Sequence, residues 1–113
     1  MSADCLFCKI IAGEIPATIV HQDGQVTAIR DINPQAPTHI LVLPHRHLAG
    51  VGAAQPADME LLGQVLLAAQ RIAAQEKLAD YRLVINNGAD AGQSVFHLHV
   101  HLLGGRRFGW PPG

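Results

Sequence analysis

The chain has 113 residues, enough for one hydrophobic core, so we expect a single domain over residues 1–113. Eight basic residues against nine acidic ones give a formal net charge of -1, which argues against nucleic-acid binding through a basic face. No apolar run reaches the roughly 18 residues that a membrane span needs, and the N-terminus lacks the features of a signal peptide. We therefore expect a cytoplasmic protein.

Charged side chains are scarce in this sequence. They form 15% of the chain, against roughly 25% in an average soluble domain, while hydrophobic residues form 49%. A small domain of this composition is expected to cover part of its apolar surface with a second copy of itself. We therefore predict a homodimer.

The N-terminal third of the chain predicts a short helix and a β-hairpin. Asp4 can cap a helix through "CLFCKIIA", residues 5–12, which would end at Gly13. Residues 17–31 predict two strands joined at Asp23-Gly24, because this dipeptide is the strongest short hairpin signal in the sequence.

A buried strand and a long helix are predicted next. After the loop "INPQAPT", the continuous apolar run "HILVLP", residues 39–44, is typical of a strand buried on both faces. Pro56 suits the first turn of a helix that should extend to about Leu78. The apolar face of this helix recurs at steps of three and four residues and comprises Leu62, Val65, Leu66, Ala69, Ile72 and Ala73.

Two more strands complete the predicted elements. The first is "YRLVIN", residues 81–86, and the second is "VFHLHVHLL", residues 95–103, with the small-residue loop "GADAGQS" between them. A hairpin, one long helix and further strands together predict an α+β domain with a mostly antiparallel sheet.

The last predicted strand carries three of the seven histidines, His97, His99 and His101, at a spacing of two residues. Alternate side chains of a strand share one face, so the three imidazoles should point the same way. The intervening side chains should pack on the core, and these are Phe96, Leu98, Val100 and Leu102.

Three interpretations of this histidine row remain open on the residues alone. The row could be a solvated polar face, a metal site built from strand histidines, or a site of nucleophilic catalysis by one imidazole. Rings two residues apart on a strand start about 6.7 Å apart, and two protonated rings at that distance would repel by roughly 2–3 kcal/mol at an effective dielectric constant of ~20. We therefore expect the middle ring to be mostly neutral near pH 7, as a nucleophile must be.

The motif "HLHVHLL" resembles the signature of the histidine triad family, in which histidines alternate with hydrophobic residues. The segments "DINPQAPTHILVLPHRH", "NNGADAGQSVFHLHVHLLGG" and "WPPG" resemble the branch of histidine triad nucleotide-binding proteins, in the order of that family. This resemblance implies the HIT fold, in which a mostly antiparallel five-stranded sheet, with one long helix and a short N-terminal helix, is extended across a homodimer.

The resemblance also implies an activity and the residues that perform it. Members of this branch hydrolyse the phosphorus–nitrogen bond of purine nucleoside phosphoramidates without a catalytic cofactor, through a nucleotide bound covalently to the middle histidine. The catalytic residues would be His99 as nucleophile, His101 and Ser94 near the phosphate and leaving group, and His39 as a supporting histidine. The nucleotide would be bound by His99, His101 and Ser94 together with Asp31, Ile32, Asn86 and Gln93.

The cysteine pair Cys5-x-x-Cys8 is a weak signal by itself. Family members with this pair bind a structural zinc through it, a histidine of the "LPHRH" region and the first triad histidine. The resemblance therefore implies a zinc site formed by Cys5, Cys8, His47 and His97, with His45 as an alternative ligand to His47.

Three other functions remain compatible with the sequence. The chain could be a nucleotide-binding interaction module with residual catalysis. It could be a zinc hydrolase that uses all three triad histidines as ligands. It could also be a dinucleoside polyphosphate hydrolase of the sister branch.

Overall fold

An antiparallel sheet of five strands forms the centre of the structure, a computed structural model that describes residues 4–113. The strand order is β1-β2-β3-β5-β4, so the last strand in the chain lies between the third and the fourth, and all neighbouring strands are antiparallel. This confirms the predicted α+β class. The strands are β1 (Ile19–Gln22), β2 (Val26–Arg30), β3 (Thr38–Pro44), β4 (Tyr81–Val84) and β5 (Val100–Gly104).

The hairpin and the buried strand are confirmed. Asp23 forms the turn between β1 and β2, where its Oδ1 accepts hydrogen bonds from the backbone N–H groups of Gln25 and Val26 at 2.7 and 2.8 Å. The bond from Gln25, followed by the hydrogen bond with the His21 side chain and the bond from Val26, lowers the pKa of Asp23 to about 2. β3 is buried from His39 to Pro44 because β2 and β5 flank it and other elements cover both its faces.

The long helix α2 (Met59–Gln75) packs on one face of the sheet. It begins after a 3-10 turn at Pro56–Asp58 and ends three residues before the predicted Leu78, because Lys77 adopts a left-handed conformation with φ of 60°. Leu66 is 44% exposed, so its prediction as a core residue is wrong. The residues of α2 that do face the core are Val65, Ala68, Ala69, Ile72 and Ala73.

The short helix α1 (Leu6–Ile11) covers the opposite face of the sheet. Phe7 and Ile10 pack there in one buried cluster with residues of β2 and β3. The predicted N-cap, Asp4, is wrong, since the cap is Cys5, whose Sγ accepts the backbone N–H of Cys8 at 3.3 Å. A sheet with a helix on each face therefore creates two cores, and the smaller one lies beneath α1.

The strand predicted over residues 95–103 is shorter in the structure. β5 begins at Val100, and residues 95–97, a little before it, form bends. Leu98, Val100 and Leu102 are buried as predicted, each at most 2% exposed, and His97 and His99 are buried as well. Phe96 is 51% exposed, so its predicted place in the core is wrong, because it lies in the bent segment outside the sheet.

Among residues 4–113, no helix combines the length and the apolar character that crossing a bilayer requires.

Leu102 lies on β5 and is fully buried in the larger core, where β5 packs against α2. Its replacement therefore tests this core. We expect Leu102→Ala to lower the free energy of unfolding by about 2–5 kcal/mol, through lost apolar burial and the cavity left behind. Urea unfolding monitored by circular dichroism measures this change. Gln70→Ala on the exposed face of α2 is the control and should stay within about 0.5 kcal/mol of wild type. A loss of that small size for Leu102→Ala would contradict the packing described here.

Candidate active site and metal cluster

A cavity of approximately 360 Å³ lies between α1 and the sheet. His99 and His101 line it, together with Arg30, Asp31 and Ser94 as further polar residues. Its remaining wall is mainly apolar and includes Leu6, Phe7, Ile10, Ile15, Ile29, Ile32, Leu41 and Val95. An apolar cavity with a few convergent polar groups is typical of a small-molecule site.

The ring of His99 is held in one tautomer. Its Nδ1 lies 2.7 Å from the carbonyl oxygen of His97. A carbonyl only accepts, so Nδ1 carries the proton, and the neutral ring keeps a lone pair on Nε2. Burial lowers the pKa of His99, whose ring also makes an edge-on contact with Phe7 at 5.0 Å between centroids. His99 is thus a neutral imidazole with a free, basic nitrogen.

His101 has the opposite arrangement of proton and lone pair. The backbone N–H of Gln35 donates to Nδ1 of His39 at 3.0 Å, so the proton of neutral His39 is on Nε2. That Nε2–H donates to Nδ1 of His101 at 2.9 Å, which leaves the proton of His101 on its own Nε2. The site therefore holds a lone pair on His99 and a hydrogen-bond donor on His101.

The hydrogen-bonded pair His39 and His101 resists protonation. Burial, followed by the charges of His99 and His39, lowers the pKa of His101 to about 4. Burial also lowers the pKa of His39, although Asp31, whose Oδ2 is 3.4 Å from its Nε2, acts in the other direction. A further proton on either ring would have to displace one of the two hydrogen bonds that the pair makes.

Three more predicted residues lie at the cavity. Oδ1 of Asp31 accepts the backbone N–H of Asn33 at 2.8 Å, which orients the carboxylate at the cavity wall. Ile32 is fully exposed and lines the cavity. Ser94 is exposed and lines the cavity together with His99 and His101.

Gln93 and Asn86 do not line this cavity. The carboxamide of Gln93 is buried, where it accepts the N–H of Gly88 and donates to the carbonyls of Ala49 and Val95. Its polar atoms are thus engaged with the loop after β4 and with the neighbouring backbone. The amide of Asn86 lies against the same loop, near Gly92.

A second cluster lies beside the cavity and comprises Cys5, Cys8, His47 and His97. Nε2 of His97 donates to the carbonyl oxygen of Pro44 at 2.7 Å, so its Nδ1 carries a lone pair. That Nδ1 lies 3.3 and 3.5 Å from the sulfurs of Cys5 and Cys8, and 3.1 Å from Nδ1 of His47. The four ligand atoms all lie within 4.8 Å of one another.

These distances fit a tetrahedral zinc site. Zinc–sulfur bonds of about 2.3 Å and zinc–nitrogen bonds of about 2.0–2.1 Å would separate two nitrogens by about 3.4 Å and a sulfur from a nitrogen by about 3.6 Å. His45 is outside the cluster, since its Nε2 contacts Oγ1 of Thr27 at 2.8 Å. Within the described residues, the three triad histidines do not converge as one ligand set, because His97 faces the cysteines while His99 and His101 line the cavity.

A family model described as the HIT domain matches residues 12–108. The chain belongs to the HIT-domain family. A maize relative named 14 kDa zinc-binding protein is 54% identical, over 96% of this chain and 87% of its own. A relative from Arabidopsis thaliana named adenylylsulfatase HINT1 is 49% identical, over 96% of this chain and 76% of its own. The crystal structure of a HIT family hydrolase from Legionella pneumophila superposes with a TM-score of 0.95 at 51% identity, covering 97% and 100% of the two chains.

Two contacts of this HIT-domain protein were not predicted from its sequence. Phe7 lies against the rings of both His97 and His99, at 6.0 and 5.0 Å between centroids. The signal available in the sequence was the position of Phe7 between Cys5 and Cys8. A helix held in place by both cysteines would bring Phe7 close to the triad histidines. Gln35 contributes only its backbone N–H, which no side-chain pattern reveals.

The low pKa of His101 predicts a pH-dependent stability. Its folded value of about 4 lies below the ordinary 6.5, so the unfolded chain binds a proton first as the pH falls. We expect the free energy of unfolding to decrease between pH 6.5 and about 4, with no further share from His101 below that range. Urea titrations across this range measure the slope.

His101→Gln serves as the comparison for that experiment. The slope should become shallower by up to about one proton in this variant, because the group responsible is gone. Equal slopes for wild type and variant would contradict the low pKa of His101.

Proposed function

We propose that this HIT-domain protein is a hydrolase of purine nucleoside 5'-phosphoramidates that cleaves their phosphorus–nitrogen bond through a nucleotide bound covalently to His99. The observation that carries the proposal is the pairing of proton positions in the cavity. His99, with its lone pair on Nε2, and His101, with its proton on Nε2, line the same mainly apolar cavity. This combination suits attack on phosphorus with donation to a phosphoryl oxygen or to the leaving nitrogen.

The first step forms a bond between Nε2 of His99 and the phosphorus, and the phosphorus–nitrogen bond breaks. The leaving nitrogen departs as an amine after taking up one proton, which solvent supplies overall. Nε2–H of His101 donates a hydrogen bond to the reacting group, and the carbonyl of His97 stabilises the positive charge that develops on the His99 ring.

In the second step, water attacks the phosphorus of the nucleotidyl-histidine. The bond to His99 breaks, a nucleoside monophosphate is released, and one proton returns to solvent. The neutral ring of His99 is thereby restored, so the cycle needs no metal ion or organic cofactor at the phosphorus.

The apolar wall of the cavity supports purine binding, since Phe7, Ile10 and Ile32 offer flat or branched apolar surface to a base. Asp31, at the edge of this wall, is the proposed acceptor for the ribose hydroxyls. Ser94 is the proposed hydrogen-bond partner near the leaving group. For Gln93 and Asn86, we propose that they shape the loop after β4 rather than contact the nucleotide directly.

Hydrolysis of adenylyl sulfate is the second candidate function, favoured by the relative named adenylylsulfatase. The same attack of His99 would form the same adenylyl-histidine, with sulfate as a leaving group that needs no proton. Parallel assays with an adenosine phosphoramidate, adenylyl sulfate and a dinucleoside polyphosphate rank the three leaving groups.

We propose a structural zinc at Cys5, Cys8, His47 and His97, supported by the ligand distances and by the maize relative's name. A bound zinc would link α1 to the segments after β3 and before β5, and would supply folding energy rather than catalysis. Homodimer formation is also proposed. β4 is an edge strand in the described chain, and Tyr81 at its start and Ile85 just after its end are exposed, so a second copy could continue the sheet there.

Replacement of His99 tests the nucleophile. We expect His99→Asn to lower kcat/KM for an adenosine phosphoramidate by roughly three decades or more, because no other group replaces the attacking nitrogen. Mass spectrometry of quenched wild-type protein should find a nucleotide on the peptide that contains residues 97–101. His21→Asn, on the β1–β2 hairpin, is the control and should retain activity. Turnover of His99→Asn within tenfold of wild type would rule out the assigned nucleophile.

The zinc proposal is tested by metal content in a matched pair of histidine variants. We expect about one zinc per chain in wild type and in His45→Ala, and loss of zinc with a lower unfolding temperature in His47→Ala. Retention of zinc by His47→Ala would contradict the ligand set. A chelator should lower activity only as fast as zinc leaves and the protein loses stability; immediate loss with zinc still bound would favour a catalytic metal instead.

A further inference from the structure

The chain after β5 contacts the loop between β2 and β3. Residues 105–108 contact this loop at two points. Nε of Arg106 donates to the carbonyl oxygen of Gln35 at 3.0 Å. Gly105 has φ of +90°, and a Cβ there would lie 2.9 Å from Cβ of Pro37, so only glycine permits this close approach.

The side chain of Arg106 is itself held in place. Its guanidinium lies 4.2 Å from the ring centroid of Phe108, and its Nη1 donates to the carbonyl of Arg107 at 2.9 Å. Phe108 also packs against the guanidinium of Arg82, at 5.1 Å. Arg106 is thus an ordered support for the loop, although it is exposed and does not line the active-site cavity.

Gln35, the residue that Arg106 holds, sets the proton positions in the active site. Its N–H donates to Nδ1 of His39, which places the proton of His39 on Nε2 and that of His101 on its own Nε2. Without this N–H, neutral His39 could carry its proton on Nδ1 and accept at Nε2 from Nδ1–H of His101. His101 would then present a lone pair to the cavity, and the donor opposite His99 would be lost.

We propose that Arg106 is a positioning residue for the reaction: its bond to the carbonyl of Gln35 holds the loop so that the Gln35 amide selects the Nε2–H tautomer of His101. The role of the tautomer in turnover rests on the proposed function, whereas the tautomer itself is a property of the protein without substrate. Arg106 therefore acts on the donor in the cavity through three hydrogen bonds, from Arg106 to Gln35, from Gln35 to His39 and from His39 to His101.

The test compares Arg106→Met with Arg107→Met. Both variants remove one positive charge from adjacent exposed positions, but only the first removes the bond to Gln35. The direct readout is nitrogen-15 NMR of the imidazole rings in substrate-free protein, with the resonances of His101 assigned from their loss in His101→Gln. Wild type and Arg107→Met should show protonated Nε2 and unprotonated Nδ1 on His101. In Arg106→Met, the two resonances should move toward each other as the tautomers mix.

Kinetics provide the second readout. We expect Arg106→Met to lower kcat for the phosphoramidate roughly fivefold, the factor carried by one neutral hydrogen bond, with KM within about a factor of two of wild type. Arg107→Met should match wild type in both constants.

The outcomes separate the two proposals. An unchanged His101 spectrum in Arg106→Met, or an equal shift in both variants, would overturn the positioning role. A protonated Nδ1 on His101 of wild type would overturn it as well. If the spectra shift as expected while wild type fails to cleave the phosphoramidate, the positioning role is supported and the proposed function fails.

Discussion

The hydrogen bond from Nδ1 of His99 to the carbonyl of His97 determines which nitrogen of the central imidazole can react. At 2.7 Å it holds the ring proton on Nδ1, so the lone pair is on Nε2 of a ring that lines the cavity. The same principle orders the other rings. A carbonyl accepts from Nε2 of His97, and a backbone N–H donates to Nδ1 of His39. Backbone groups, which cannot change their role, thereby assign the proton positions of these three rings directly, and that of His101 through His39.

The bend before β5 makes this arrangement possible. Pairing with β3 extends only to Val100, so the His97 carbonyl is not taken up by the sheet and is available to the ring of His99. The segment is held instead by the Leu98 N–H, which donates to the carbonyl of Leu48 at 2.7 Å. A regular strand through residues 95–99 would engage the backbone groups that now orient the histidines.

The short helix α1 connects the metal cluster to the active-site cavity. Cys5 and Cys8 face the metal cluster, while Phe7 between them contacts the ring of His99. A helix of six residues has little stability of its own, so its position depends on the packing beneath it and on the groups at its N-terminus. Order in the cysteine cluster and order in the wall of the active site are therefore physically linked through this helix.

Burial with few compensating charges keeps the site neutral. The pKa values of His39, His97, His99 and His101 are all lowered, in each case mainly by burial. Neutral rings can stand close together, as the 4.9 Å between the centroids of His99 and His101 requires, and they keep the lone pairs that nucleophilic attack and metal binding need.

Local patterns in the sequence determined the elements and the residue types of the site. The Asp23-Gly24 turn, the apolar run of β3 and the alternation of Leu98, Val100 and Leu102 with the histidines depend on steric and burial rules that act over a few residues. Only the tertiary structure decided which nitrogen of each ring is free, that His47 rather than His45 meets the cysteines, and that Gln93 faces the loop. Those outcomes depend on backbone groups far away in the chain, such as Pro44 for His97 and Gln35 for His101. Every residue carries the same N–H or carbonyl group, except for the missing N–H of proline, so no pattern of side chains can indicate which of them a given ring will meet.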